Sequence, residues 1–267
     1  MKGIDTGFQD VRGPDEAKAL FEFLDMVDGQ NFIRECKAQI HRLCPVPEGA
    51  HILDVGCGLG HEAQRLAQLA GPQGRVVGID KSELMIEESR RRAVDRSSPV
   101  EFAAMDACRL DFPEHTFDLC RAERVLRYIE NPQQVIHEMA RVARPEGRIV
   151  IFDFDSAGLV VDAPDPVLTR RIGRLLGDAV PHGWIGRQLV RLFKEAGLLD
   201  VAAFPQTSFL PFSVYKIVAG GTLEEAVQAG DISSTDVARW WADLEKVNQE
   251  DNFFAAFLGF IVSGRRS

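Results

Sequence analysis

The chain has 267 residues, enough for one large α/β domain or a core with an added cap. Its 45% hydrophobic and 27% charged residues are ordinary for a soluble globular protein. The formal net charge of -9 argues against a nucleic-acid partner, which would need a basic face. The N-terminal Met1-Lys2-Gly3-Ile4-Asp5 lacks the charged and apolar regions of a signal peptide, and no apolar run approaches membrane-spanning length. The cysteines, Cys36, Cys44, Cys57, Cys108 and Cys120, are odd in number, widely spaced and free of C-x-x-C, so a reduced, cytoplasmic protein is expected.

Apolar spacing predicts a helix over Asp15–Met26, with Pro14 at its start, and a second over Gln30–Leu43, ended by Pro45 and Pro47. These helices are open to two readings, packing alone or cover for a pocket. A strand over His51–Val55 then breaks into Gly56, Gly58 and Gly60, and a helix follows to Leu69. Strand, glycine turn and helix suit a nucleotide-type ligand, because glycine allows a tight turn and close approach and the helix start offers free N–H groups. A dinucleotide fingerprint would need glycine at 61, where the chain has His61, which disfavours an NAD(P)-dependent oxidoreductase.

The second strand, Arg75–Asp80, ends in an acid that can accept hydrogen bonds from two ribose hydroxyls or cap the next helix. Ser82, Met85 and Ile86 open that helix, with Met85 placed to pack on an adenine; Arg90, Arg91 and Arg92 read as its solvated face. The third strand is Val100–Met105, followed by Asp106-Ala107, and the fourth is Leu119–Ala122. His115 falls in a polar turn. The fifth strand, Arg148–Phe152, is expected to end before Asp153 and Asp155, either of which is a candidate general base or a loop cap. No histidine accompanies them at ligand spacing, so no metal is expected. A helix over Pro164–Leu176 and a loop over Pro181–Gly186 follow. In that loop His182 is a candidate base and Trp184 a candidate stacking platform, although a lone histidine in such a loop is usually structural. A helix over Arg187–Glu195, a strand over Asp200–Phe209, helices over Phe212–Gln228 and Thr235–Asn248, and a strand over Phe253–Val262 complete the chain.

The pattern Asp54-x-Gly56-x-Gly58-x-Gly60 resembles motif I of the class I S-adenosyl-L-methionine (SAM)-dependent methyltransferases. Downstream, Phe112-Pro113-Glu114, Phe117-Asp118, Val125-Leu126, Ala140-Arg141-Val142 and Arg144-Pro145-Glu146-Gly147 resemble small-molecule methyltransferases, in particular the ubiquinone and menaquinone C-methyltransferase-like group. Arg121 to Ile129, RAERVLRYI, looks more like specialised-metabolite enzymes than like the quinone enzymes themselves. The resemblance runs from His51 to Asp155.

It implies an α/β, Rossmann-like, seven-stranded doubly wound sheet of order 3-2-1-4-5-7-6 with strand 7 antiparallel. The expected parts are an N-terminal helical cap (1–47), a SAM-binding core (48–155), a helical insertion or lid (156–186) and completion of the core (187–267). It places Asp54, Gly56, Gly58 and Gly60 on the methionine end of SAM, Asp80 at the ribose, and Asp106 with the neighbouring Ala107 at the adenine; Lys81 and Met85 are also expected to bind the cofactor. Arg121 would border the cofactor and pair with a carboxylate. Glu123 would orient a substrate donor or join a salt bridge. The product would be S-adenosyl-L-homocysteine (SAH). The partner would be a small-molecule methyl acceptor, since the Asn-Pro-Pro-Tyr motif of nucleic-acid amino-methylases is missing after strand four. Neither a nucleic acid nor a membrane is expected as partner, and the protein would be a monomer or homodimer. A SAM-binding sensor without catalysis shares every one of these cofactor residues.

Overall fold

The computed structural model describes residues 14–93 and 100–267. Two helices, α1 (Pro14–Asp28) and α2 (Asn31–Leu43), precede the sheet. Alternation then builds β1 (His51–Val55), α3 (His61–Ala70), β2 (Arg75–Asp80), α4 (Glu83–Ala93), β3 (Val100–Ala104), β4 (Phe117–Glu123), α5 (Pro132–Val142) and β5 (Ala143–Val161). A 3-10 turn, Leu126–Tyr128, lies between β4 and α5. The chain ends with α6 (Pro166–Asp178), α7 (Ile185–Glu195), β6 (Leu199–Phe209), α8 (Phe212–Ala229), α9 (Ser234–Gln249) and β7 (Ala255–Arg265).

The strands form one sheet in the order β3-β2-β1-β4-β5-β7-β6. β1 to β5 run parallel, while β7 pairs antiparallel with both β5 and β6. This is the expected order. Strands such as Ile52-Leu53-Asp54-Val55 and Ile149-Val150-Ile151-Phe152 are buried along their length because helices cover both faces. One apolar core sits between the sheet and α5 and α7, and a second between the sheet and α2 and α3.

The strongest departure from expectation is at β5. It does not stop at Phe152 but continues to Val161, pairing with β7 through Asp155 and again at Val160 and Val161. The antiparallel partner supplies hydrogen bonds beyond the point where the parallel sheet ends, so the strand has no reason to break there. Asp153 and Asp155 therefore lie inside a strand rather than at its tip. β7 likewise begins at Ala255 and runs to Arg265. Beyond the parallel sheet, α6, α8 and α9 build a third core with the ends of β5 and β7, centred on Tyr215, Trp240 and Leu244.

Two of the family-like motifs turn out to be structural. Arg144 donates to Asp118 at 2.7 Å, and Asp118 accepts the backbone N–H of His51 at 2.8 Å. The Phe-Asp and Arg-Pro-Glu-Gly motifs thus tie together the beginnings of β1, β4 and β5, at the opposite edge from the glycine loop. Arg91 and Arg92 ion-pair with Glu88, Arg92 also with Asp25 of α1, and Arg90 donates to the Phe102 carbonyl of β3 at 2.6 Å, so the triple-arginine run is engaged within the fold.

Candidate functional site

A cavity of about 1500 Å³ opens at the carboxyl edge of the parallel strands. Ligands of open α/β sheets bind at this edge, where the loops diverge. The loop after β1 shapes its floor. Gly56, Gly58 and Gly60 all have positive φ, at 69°, 51° and 75°, but they face different things. A Cβ on Gly56 would lie 2.3 Å from Val125 Cγ2, and one on Gly60 would lie 2.6 Å from the Phe102 ring. A Cβ on Gly58 would meet nothing within 4 Å. Gly56 and Gly60 thus allow close packing of the loop, while Gly58 leaves an open cradle on the cavity. Gly60 lies outside the cavity lining and faces the Phe102 ring.

Asp80, half-buried at the tip of β2, accepts the N–H of Gly58 at 3.1 Å and that of Ser82 at 3.0 Å. It therefore fixes the loop and begins the turn into α4 while still lining the cavity. Burial pushes its carboxyl above the ordinary range, against these backbone donors. Met85 is buried, lines the cavity, and packs with Leu59 and with Leu20 of α1. Lys81, Asp106 and Ala107 line the same end; Asp106 accepts the N–H of Cys108 at 2.8 Å in an Asx-type turn. Helices α1 and α2 cover this cavity, contributing Leu24, Phe32 and Lys37. Asp54, Gly58, Asp80, Met85 and Asp106 line one continuous space, and the open face of Gly58 leaves room for a ligand to approach the backbone closely.

Beneath the glycine loop lies a buried charge cluster. Arg121, on β4 beside Asp54 of β1, is 1% exposed. Its guanidinium lies 2.6 Å from Glu123, 3.4 Å from Asp54 and 3.6 Å from Glu62. Burial alone would push Arg121 down; Asp54, Glu62 and Glu123 overcome that and hold it above its ordinary value. Burial raises Asp54 to about 6 against the pull of Arg121. At Glu62 burial is outweighed by Arg121, His41 and Lys37, which hold the carboxyl far below its usual range. Lys37 bridges Asp28 and Glu62, and His41 Nε2 lies 2.9 Å from Glu62. Lys37 and Glu62 escaped the sequence reading. The signal was present, since Lys37 occupies the buried stripe of α2 between Ile33 and Ile40.

The candidate bases lie elsewhere or are already engaged. Glu123 is held by Arg121 and Arg124. Asp155 is fully buried, ion-paired to Arg187 of α7, and outside the cavity lining. Asp153 is fully buried and accepts the N–H groups of Phe154 at 2.9 Å and Arg127 at 3.3 Å. His182 also lies outside the cavity; its ring Nε2 is 3.2 Å from the Glu130 carbonyl, which ties the return loop to the segment after β4. Trp184 is exposed beneath the Arg187 guanidinium, 4.7 Å from its ring centre, rather than facing a ligand. For Asp153 and Asp155 the cause is the extended β5, which turns its acids into the protein.

Burial pushes the Asp153 carboxyl from its ordinary 3.8 to about 6, against the charge of Arg127 and the backbone N–H groups. A carboxyl raised on folding contributes stability that is present below its unfolded pKa and is lost as pH rises through its folded one. Asp153→Asn keeps the side-chain oxygen and removes the titration. The melting temperature of the native chain relative to this variant should therefore fall as pH rises from about 4 to about 6. Circular-dichroism melts across that range test this, and a pH-independent difference would refute it.

Among the described residues no helix is long and apolar enough to cross a membrane. The profile of a methyltransferase-domain family matches residues 47–182. The chain is 34% identical over 253 residues to an uncharacterized 37.1 kDa protein in transposon TN4556 of Streptomyces fradiae, covering 93% of this chain and 71% of that one. It is 31% identical over 160 residues to the ubiquinone/menaquinone biosynthesis C-methyltransferase UbiE of Pseudomonas entomophila, covering 55% of this chain and 62% of that enzyme. Among solved structures, phosphoethanolamine N-methyltransferase 2 of Haemonchus contortus, in complex with SAM, superposes with a TM-score of 0.60 at 17% identity, over 100% of this chain and 60% of that one.

Proposed function

The chain belongs to the methyltransferase-domain family, as a class I SAM-dependent member, and we propose that it methylates a small molecule bound in the same cavity as the cofactor. One observation carries this reading. The glycine cradle with Asp80 and Asp106 and an apolar chamber lined by Phe154, Phe257 and Val214 belong to one continuous cavity.

SAM supplies a methyl group already activated on a sulfonium, so the reaction asks the protein chiefly for alignment and exclusion of water. In this reading Gly58 lets the backbone approach the methionine end, Gly56 lets the loop pack under it, and Asp54, with the charge cluster behind it, faces its ammonium. Asp80 accepts from the ribose hydroxyls, while Met85 and Asp106 flank the adenine. α1 and α2 keep bulk water from the site. Glu123 and Glu62 stay ion-paired, which leaves the acceptor's own nucleophile to do the chemistry.

Isothermal titration with SAM and SAH, with NADH as control, tests the cofactor; methyl transfer from labelled SAM into a metabolite extract tests the reaction. Binding of both sulfur ligands and label transfer are expected. Binding of NADH alone would overturn the reading, and SAM binding without transfer to any acceptor would favour a sensor. Asp80→Ala should weaken SAM by ~1–3 kcal/mol, the cost of leaving buried donors unpaired. Unchanged affinity would remove Asp80 from the site.

A further inference from the structure

A line of alternating charge runs from the helices over the cavity to its floor. It begins at Asp28, the last residue of α1, which ion-pairs with Lys37 of α2. Lys37 Nζ lies 3.3 Å from Glu62 Oε2 of α3. Glu62 Oε1 lies 3.6 Å from Arg121 Nη1 of β4, and the same nitrogen lies 3.4 Å from Asp54 Oδ1 of β1. Lys37, Glu62, Arg121 and Asp54 are all buried, so their charges act on one another with little screening.

Arg121 Nη1 is the sensitive point on this line. It stands between two carboxylates at nearly equal distances and hydrogen-bonds to neither. Its sister nitrogen, Nη2, is held by Glu123 at 2.6 Å. What keeps Nη1 from closing on Glu62 is the set of donors already there: Lys37, His41 Nε2 at 2.9 Å and Arg65 Nη1 at 2.9 Å. His41 and Arg65 are partly exposed to water, whereas the Lys37 side chain is 5% exposed. Removing one partner of a buried pair costs far more than breaking a pair at the surface. Lys37 is thus the donor whose loss Glu62 would feel most, and Arg121 Nη1 is the cation within reach to replace it.

We propose that Lys37 is a positioning residue for the cofactor: by occupying Glu62 it leaves Arg121 beside Asp54, and so keeps the Asp54 carboxylate charged toward the cofactor's ammonium. The inference rests on the methyltransferase reading, which places that ammonium at Asp54. The groups that face Asp54 are Arg121 and Glu123 of β4, Glu62 of α3, Lys37 of α2 and the neutral thiol of Cys57 in the glycine loop. Burial raises the Asp54 carboxyl to about 6, with Glu62 and Glu123 adding to the rise and Arg121 and Lys37 opposing it. Loss of Lys37 raises Asp54 twice over, by removing a cation and by drawing Arg121 toward Glu62. Loss of the Asp28 charge does the reverse, because Lys37 then answers to Glu62 alone.

The test is the pH dependence of SAH binding, by isothermal titration from pH about 5.5 to about 8, for the native chain, Lys37→Met and Asp28→Asn. SAH carries the same ammonium and carboxylate as SAM. Its affinity for the native chain, measured first at the upper pH, stands or falls with the cofactor assignment and not with this proposal. Affinity that needs Asp54 charged is full well above its pKa and is lost as pH falls through it. Lys37→Met should match the native chain at pH about 8 and bind about threefold more weakly at pH about 6. Asp28→Asn should move the other way and bind more tightly than the native chain at the lower pH. Asp80 and the ligand's own amine titrate in all three chains and cancel in the ratio to native. His61 also feels Lys37 and Asp28, so the ratios are repeated in a His61→Gln background, where they should persist. A loss in Lys37→Met that is the same at every pH would mark a direct contact or a packing role and overturn the proposal. A shift of the same sign in both variants, or ratios that vanish with His61→Gln, would overturn it too. Asp28→Asn carries the sign test by itself where Lys37→Met does not fold.

Discussion

Arg121→Met is expected to cost ~3–5 kcal/mol of stability, the usual result of removing one side of a buried charge cluster. In a chain of this size that lowers the melting temperature by roughly 10 °C or more. The reason lies in what remains. Asp54, Glu62 and Glu123 would face one another under the glycine loop with their central cation gone. Methionine fills much of the same volume, so the loss is electrostatic rather than a cavity. The variant should also respond to pH more strongly than the native chain, in which only Asp54 of the three is raised. Without the guanidinium, burial moves all three carboxyls upward from where Arg121 holds them, Asp54 furthest because it has no other close cation, and they take up protons more readily as pH falls. The stability gap should therefore narrow at pH about 5.5 relative to pH 8. Denaturant melts at the two values check this. A gap that does not move with pH, or no loss at all, would show that the cluster is not a single electrostatic unit.

Gly58→Ala is expected to separate binding from folding. A methyl at this position meets nothing within 4 Å in the protein, so the fold bears only the left-handed backbone at φ 51°, about 1–2 kcal/mol for a residue with a Cβ. In the cavity the methyl stands where the cradle opens, and SAM affinity should fall by about 100-fold, some 2.7 kcal/mol. Gly56→Ala is the contrasting case. Its Cβ would lie 2.3 Å from Val125, so the loop itself would be displaced and the chain destabilised before any ligand is added. Paired melting curves and SAM titrations of both variants are the measurement. Native affinity in Gly58→Ala would place the cofactor elsewhere in the cavity.

The alternation of apolar runs with glycine turns and amphipathic stretches determined, from the sequence alone, the parallel half of the fold and the glycine loop. Both are local: a strand is written in successive apolar residues, and a left-handed turn in its glycines. Strand order and the antiparallel seventh strand came from family resemblance, not from residue spacing, and the structure has that order. Asp54, Asp80 and Asp106 were legible for the same local reason, each standing at or just beyond the end of a predicted strand.

Tertiary structure decided the rest. Whether Asp153 and Asp155 stood at a ligand or inside the protein depended on how far β7, a hundred residues away in sequence, continues to pair with β5. The destinations of Gly56 and Gly60 depended on Val125 and Phe102. An apolar stripe announces that Phe32, Val214 and Phe257 turn inward, but periodicity does not say whether they face a packed core or an open chamber. Charge shows the same limit. Arg121 and Glu123 read as neighbours two apart on a strand, while Lys37 and Glu62 reach the same cluster only because α2 packs over the start of α3. Pairings across such distances are set by packing, and packing is the part of the physics that no short window of sequence contains.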